Sequence, residues 1–129
     1  MKFLIINPQL IFNSNDKFTT GIIYLPIALA SISSYLKKNS VSHTIIDLFG
    51  NNPKKISKLN NFFVLGENID KYSDEIKSSD GIFVYANQVI NHLSTINIIK
   101  KIRSINSSVK VFIFENTQAV TAYSLKDIY

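Results

Sequence analysis

Four short apolar runs recur along the chain and predict β-strands. They occupy residues 2–7, 43–47, 81–85 and 110–115, and they are rich in β-branched and aromatic residues. Continuous apolar runs of this length are typical of strands that are buried on both faces of a sheet.

Apolar residues recur at helical spacing between these runs and predict three helices. The first helix has the stripe Leu25, Leu29, Ile32 and Leu36, with Pro26 tolerated in its first turn. The shorter second helix carries Ile69, Tyr72 and Ile76. The third should run to about Asn106, with the stripe Leu93, Ile96, Ile99 and Ile102, widened by Ile98 and Ile105.

Strands that alternate with helices imply βαβ units and a parallel sheet. We therefore predict a single α/β domain over residues 1–129, with an open doubly wound, Rossmann-like sheet of about four strands and helices on both faces. Such sheets commonly have five or more strands, so the domain is either a minimal version or the front part of a longer one.

Two stretches lack regular periodicity and are predicted to be loops. Residues 8–21 form a polar connection after the first strand, and residues 50–66 contain an Asn-Asn-Pro turn and several lysines. Long loops in compact domains are more often functional than incidental.

Composition excludes many classes of site. The 129 residues are 46% hydrophobic and 18% charged, which is typical of one globular domain. The absence of Cys excludes disulfides, thiolate zinc sites, iron–sulfur clusters and cysteine nucleophiles built from this chain. The four isolated glycines leave neither a G-x-G-x-x-G turn nor a P-loop.

The net charge of +5 raises the question of a nucleic-acid partner. Most basic residues lie at the predicted ends of two helices, where they complement the helix dipole: Lys37, Lys38, Lys100, Lys101 and Arg103. Lys54, Lys55 and Lys58 cluster elsewhere, but no aromatic residues are interleaved with them. We therefore favour a solvated basic surface and expect no nucleic-acid partner.

No segment is predicted to enter a membrane. Residues 18–36 carry no charge, but polar residues and a proline interrupt them. The apolar start of the chain is too short for the core of a signal peptide. We expect a cytoplasmic protein.

Polar residues follow all four predicted strands, and parallel sheets bind ligands at that edge. These residues are Asn7-Pro8-Gln9, Asp47, Ala86-Asn87-Gln88 after Tyr85, and Glu115-Asn116. With the strand order 2-1-3-4, residues 7–24 and 86–91 would form the walls of a ligand crevice. Because polar residues are common in all turns, ordinary loops remain an equal alternative.

Individual side chains give no case for catalysis. His43 is expected to be a packed or capping residue, His92 an exposed helix residue, and Asp47 a solvated residue at a strand end. The spacing of histidines and carboxylates predicts no metal site, and Ser and Thr lack a partnered His. We predict no catalytic residue and no metal ligand.

Several segments together match one linear pattern. They are Lys-Phe-Leu-Ile-Ile-Asn-Pro at 2–8, Gly-Ile-Ile-Tyr-Leu-Pro-Ile-Ala-Leu-Ala at 21–30, Tyr-Leu-Lys-Lys at 35–38 and Thr-Ile-Ile-Asp-Leu-Phe at 44–49. The third strand, the helix over 90–106 and the strand at 109–111 continue the pattern. The chain resembles the N-terminal cobalamin-binding-like domain of the B12-dependent radical SAM enzymes.

This resemblance implies a domain that holds a corrinoid at the carboxyl ends of its strands, against a radical SAM barrel in the same chain or another. The implied cobalamin-binding residues are Asn7, Gly21, Tyr24, Pro26, Asn87, Gln88 and Asn116. No axial cobalt ligand is implied, since the Asp-x-His-x-x-Gly motif of the methyltransferase relatives is absent. Without Cys, the chain as given is not a complete radical SAM enzyme.

One departure from the family supports an alternative function. Phe114-Glu115-Asn116 stands where the family often has a Gly-Gly pair that lets the backbone approach the corrin. The alternative is a cofactor-free Rossmann-like domain that serves interaction or substrate gating.

A sheet that stops at its fourth strand would expose apolar surface. We therefore expect self-association through the last strand edge, or through a tail that carries Val120, Tyr123, Leu125 and Tyr129. A tail that folds back as a helix and caps the sheet would instead leave a monomer.

Overall fold

A computed structural model describes residues 1–15, 26–86 and 91–114. The strands are β1 Lys2–Asn7, β2 Leu10–Asn13, β3 Ser42–Asp47, β4 Ile56–Leu59, β5 Phe62–Leu65, β6 Gly81–Tyr85 and β7 Lys110–Phe114. The helices are α1 Ile27–Lys38, α2 Leu48–Asn51, a 3₁₀ turn Ile69–Tyr72, α3 Ser73–Lys77 and α4 His92–Ile105.

The main sheet contains four parallel strands in the order β3-β1-β6-β7. These strands are the four predicted runs, so a mixed α/β fold with a four-stranded parallel sheet is confirmed. When these four strands are numbered by their order along the chain, their order across the sheet is 2-1-3-4. The central strands β1 and β6 pair with each other, with Leu4 opposite Ile82.

Side chains alternate between the two faces of this sheet along each strand. Helices pack on both faces and cover the two sets of side chains. Leu4 and Ile6 of β1 pack in one buried cluster with Ile102 of α4. Ile5, between them, packs in the other cluster with Leu29 of α1. Leu29, Ile32 and Leu36 of the stripe that predicted α1 pack in this cluster, and Pro26 lies at the N-cap position, whereas Leu25 lies outside the described residues.

A second, antiparallel sheet in the order β2-β5-β4 corrects the prediction of two irregular loops. β2 lies in the stretch predicted as the first loop, and β4 and β5 lie in the second. Each strand has four residues, too short for alternation to stand out among polar neighbours. A two-residue turn at Asn60 and Asn61 joins β4 to β5, and Asn60 adopts a positive φ of 53°.

The buried face of α4 differs from the predicted stripe. Leu93 is exposed, whereas Ser94 and Thr95 are buried together with Ile98 and Ile102. Polar residues therefore occupy the first turns of the buried face. Their burial is tolerated because hydrogen bonds satisfy their hydroxyl groups. An apolar stripe read from sequence misses such positions.

The prediction that basic residues lie at the ends of helices is confirmed for three of them. Lys37 and Lys38 lie in the last turn of α1, and Arg103 lies in the last turn of α4. It is wrong for Lys100 and Lys101, because α4 continues to Ile105. None of the helices in the described part of the chain has the length and apolarity needed to span a bilayer.

Candidate functional site

The carboxyl ends of β1 and β3 are joined by a side-chain hydrogen bond. Asn7 and Asp47 are register partners, and Asn7 Nδ2 donates to Asp47 Oδ1 over 2.8 Å. The same oxygen accepts the backbone N–H of Gly50 at 2.9 Å and so caps α2. Asp47 is therefore half-buried and held by two donors, and the prediction of a solvated strand-end residue is wrong.

Gln9, just beyond β1, connects three elements at this edge. Its Nε2 donates to the backbone carbonyl of Glu67 at 2.9 Å, next to the 3₁₀ turn. Its Oε1 accepts the hydroxyl of Ser94, on the buried face of α4, at 3.2 Å. Both ends of the Gln9 amide are thus used to position the segment that follows β1.

The start of α4 holds a buried polar group whose acceptor is unused within the described chain. Asn91 precedes the helix and is only 7% exposed. Its backbone carbonyl accepts the Thr95 hydroxyl at 3.1 Å, but no described donor reaches its Oδ1. Buried polar atoms nearly always have a partner, so an orphaned acceptor indicates a place where a ligand donor can bind.

Glu67 is the most strongly perturbed acid of the described chain. Lys55 Nζ donates to Glu67 Oε1 over 2.6 Å and Lys71 Nζ to Oε2 over 3.3 Å, and the Asn68 backbone N–H donates to Oε1. The Lys55 contact is the main reason that the pKa of Glu67 falls to about 2, followed by the Asn68 N–H. The side chain is a fixed anion that holds β4 against the 3₁₀ turn.

A cavity of about 480 Å³ lies between the second sheet, the 3₁₀ turn and α4. We call it the lysine groove, because four of its described lining residues are lysines: Lys55, Lys58, Lys100 and Lys101. Two come from the segment around β4 and two from α4, so the fold joins clusters that are more than forty residues apart. Sequence analysis missed the groove because β4 was predicted to be loop.

The predicted cobalamin-binding residues fall mostly outside the described part of the chain. The five predicted residues that lie outside the described part are Gly21, Tyr24, Asn87, Gln88 and Asn116. Asn7 lies at the end of β1, as predicted. Pro26 lies at the start of α1, where its carbonyl accepts the N–H groups of Leu29 and Ala30. No hydrogen bond joins Asn7 to Pro26.

The fold pairs a serine with a histidine, contrary to the expectation from sequence. Ser33 Oγ lies 2.7 Å from His43 Nε2, and His43 Nδ1 lies 2.8 Å from the Val41 carbonyl oxygen. The carbonyl makes Nδ1 the protonated nitrogen, so Nε2 accepts from Ser33. This pair joins α1 to the beginning of β3, at the amino ends of the strands, whereas Asn7 and Asp47 lie at the carboxyl ends. Among the described residues, the pair has no carboxylate partner.

The second histidine also differs from its prediction. His92 is the first residue of α4 and is half-buried, so the expectation of an exposed helix residue is wrong. Within the described residues, no group of three or more His, Asp or Glu side chains is placed to hold a metal ion.

No family model, curated protein or solved structure matches the chain. Inference about function therefore depends on the geometry of the chain itself.

Proposed function

We propose that the chain is a doubly wound, Rossmann-like domain that binds a corrinoid at the carboxyl edge of its main sheet. The observation that carries the proposal is the strand order β3-β1-β6-β7. The chain moves from β1 to one side for β3, then to the other for β6 and β7. Ligands of open α/β sheets bind outside the carboxyl ends of the two strands that flank such a reversal, which here are β1 and β6.

Buried polar groups at this edge support the proposal. Asn7, Asn91, Ser94 and Thr95 are all buried, although the farther part of the same α4 face carries Ile98 and Ile102. Removing polar groups from water costs free energy unless they are hydrogen-bonded. Asn7, Ser94 and Thr95 donate to Asp47, Gln9 and the Asn91 carbonyl, so the group that favours a polar ligand at this end is the Asn91 Oδ1, which no described donor reaches.

Among the described residues, Asn91 is the one suited to a corrinoid, through hydrogen bonding at its rim. Cobalamin carries peripheral amides, and the orphaned Asn91 Oδ1 is an acceptor suited to an amide N–H. With Asn91, the residues proposed to hold it are Asn7, Gly21, Tyr24, Pro26, Asn87, Gln88 and Asn116. Packing and loop contacts would hold its lower face, and the cobalt would supply methyl-transfer or redox chemistry.

The proposal implies a partner domain. The chain has no Cys and cannot ligate an iron–sulfur cluster through thiolates, so radical chemistry requires a radical SAM barrel in cis or in trans. In that assembly, this domain would bind and orient the corrinoid and exclude water from one side of it.

Titration of the chain with hydroxocobalamin tests the proposal, with visible absorbance and co-elution in gel filtration as readouts. Asn91→Ala is the informative variant, because the Asn91 side chain makes no capping bond to α4. We expect Asn91→Ala to weaken binding about fivefold while leaving thermal stability unchanged or raised, since an unsatisfied buried acceptor is removed. Asn39→Ala, at the far end of α1, is the matched control.

Absence of both a spectral change and co-elution at high micromolar concentration would contradict the proposal. A cofactor-free interaction or substrate-gating domain is the second candidate. It is favoured by the fact that the amides of Asn7 and Gln9 are already engaged by Asp47, Glu67 and Ser94.

A further inference from the structure

The lysine groove has an excess of positive charge that internal ion pairs do not neutralise. Lys55 pairs with Glu67 over 2.6 Å, and Lys101 pairs with Asp70 over 2.6 Å. Lys58 and Lys100 are exposed and form no ion pair with any described residue. The groove therefore presents two ammonium groups that no described carboxylate neutralises, one from each wall.

Bringing four like charges to one cavity is unfavourable unless an anion offsets their repulsion. Glu67 and Asp70 offset two of the charges. Lys58 lies on β4 and Lys100 lies on α4. An external anion would stabilise both at once.

Neutral donors line the same groove. They are the side-chain amides of Asn68 and Asn97, whereas the hydroxyls of Ser57, Ser94 and Ser104, which also line the groove, already donate to Val64, Gln9 and Lys101. Amide N–H groups donate readily to phosphate oxygens, and lysine supplies charge-assisted donors. Apolar side chains of Leu59, Val64 and Ile98 complete the lining and give room for an organic group.

The dimensions and composition of the groove favour a small molecule. Its volume of about 480 Å³ lies in the range of ordinary small-molecule pockets. Its described lining contains no aromatic side chain, whereas surfaces that bind single-stranded nucleic acid combine basic residues with stacking aromatics.

We propose that the lysine groove binds a small molecule that carries a phosphate or polyphosphate group, with Lys58 and Lys100 as its principal anion contacts. This site adjoins the proposed corrinoid site, because Gln9 and Ser94 line the groove and also lie at the carboxyl edge of the main sheet, but its principal anion contacts are different residues. It lies between the second sheet and α4 and does not depend on a corrinoid being bound.

Calorimetric titration with tripolyphosphate and with adenosine triphosphate tests the proposal, using sulfate at equal ionic strength as the reference anion. We expect saturable binding that the Lys58→Gln and Lys100→Gln variants each weaken about tenfold, the effect of losing one charge-assisted contact. Lys110→Gln is the matched control because Lys110 is exposed at the start of β7 and does not line the groove. Its affinity should stay within about twofold of the parent chain.

Equal affinity for the two probes would mean that the groove recognises phosphate alone, and tighter binding of the nucleotide would mean that the apolar lining contributes. Three outcomes would overturn the proposal. One is no saturable binding up to about 10 mM. Another is an equal loss of affinity in Lys110→Gln, which would indicate nonspecific attraction. The third is tighter binding of a single-stranded oligonucleotide than of either probe. Because corrinoid binding is measured separately, failure of either proposal leaves the other to be judged on its own result.

Discussion

At the scale of single residues, Glu67 links the second sheet to the rest of the fold. Its pKa of about 2 lies below its ordinary value of 4.5, so the folded chain binds fewer protons than the unfolded chain between these values. Its contribution to stability is therefore complete above about pH 4.5 and is lost as the pH falls towards 2.

We expect Glu67→Gln to lower the free energy of unfolding at pH 7 and to flatten its decline between pH 5 and 2. Urea denaturation at a series of pH values measures both effects. Glu75→Gln, in the first turn of α3, is the control of the same residue type and should retain most of the decline. A Glu67→Gln profile parallel to that of the parent chain would contradict the role given to Glu67.

Gly66 occupies a position that other residues cannot adopt without strain. Its φ is +131°, and a Cβ placed there would lie 2.5 Å from the carbonyl oxygen of Leu48. We predict that Gly66→Ala destabilises the fold by about 2 kcal/mol or more, from backbone strain together with the steric clash.

Thermal and urea unfolding measure the effect of Gly66→Ala. Asn60→Gly is the contrasting control, because Asn60 has a positive φ in an exposed turn and glycine accepts that conformation. It should change stability by less than about 0.5 kcal/mol. Similar stabilities for Gly66→Ala and Asn60→Gly would show that the Gly66 backbone relaxes.

At the scale of elements, the second sheet was not predicted from sequence, and substitutions of two isoleucines test whether its strands pack on the rest of the fold. Ile11 of β2 is only 1% exposed, whereas Ile56 of β4 is 61% exposed. Ile11→Ala should cost about 2–4 kcal/mol through lost burial and the remaining cavity, and Ile56→Ala less than about 0.5 kcal/mol. Chemical denaturation distinguishes them, and a mild effect of Ile11→Ala would mean that β2 is not packed.

The parts of the fold that sequence predicted are those with long or continuous apolar patterns. Strands β1 and β6 agree with their predicted bounds because buried parallel strands are uninterrupted apolar runs. Strand β4 was missed because pairing across the Asn60-Asn61 turn, rather than burial, defines it. Strand β5 is an apolar run, but it is only four residues long and was included in a predicted loop.

The candidate site was less predictable than the fold for a related reason. Asn7 and Asp47 were identified because they end predicted strands, but their mutual hydrogen bond depends on the strand register. Asn91 lies within the predicted crevice wall at 86–91 but was not singled out, and Ser94 was missed, because a search for apolar stripes ignores buried polar residues. The signal that could have found them is a polar residue at a helix position that is in phase with the buried Ile98 and Ile102.

At the scale of the whole molecule, β7 is an edge strand of the main sheet among the described strands, and it retains exposed apolar surface. Phe112 is 45% exposed and stacks on Phe83 of β6, with ring centroids 5.0 Å apart. The neighbouring Phe114 packs with the cluster around α1. An edge strand that exposes an aromatic side chain is a template for association.

We predict that the chain self-associates through β7 and that Phe112→Lys prevents this. Light scattering over a concentration series measures the molar mass, and Tyr35→Lys, a change of another exposed aromatic on α1, is the control. A mass that stays near 14.6 kDa at the highest concentration would contradict the prediction.

The central claim is that a corrinoid binds at the carboxyl edge of the main sheet, and amide-resolved NMR during a hydroxocobalamin titration tests it most directly. The account predicts saturable shift changes at Asn7, Asp47, Ala86 and Asn91, where β1, β3 and β6 end and α4 begins. Amides at the opposite edge, such as those of Lys2, His43 and Lys110, should remain unshifted. Shift changes centred on that opposite edge, or no changes at saturating ligand, would contradict the claim.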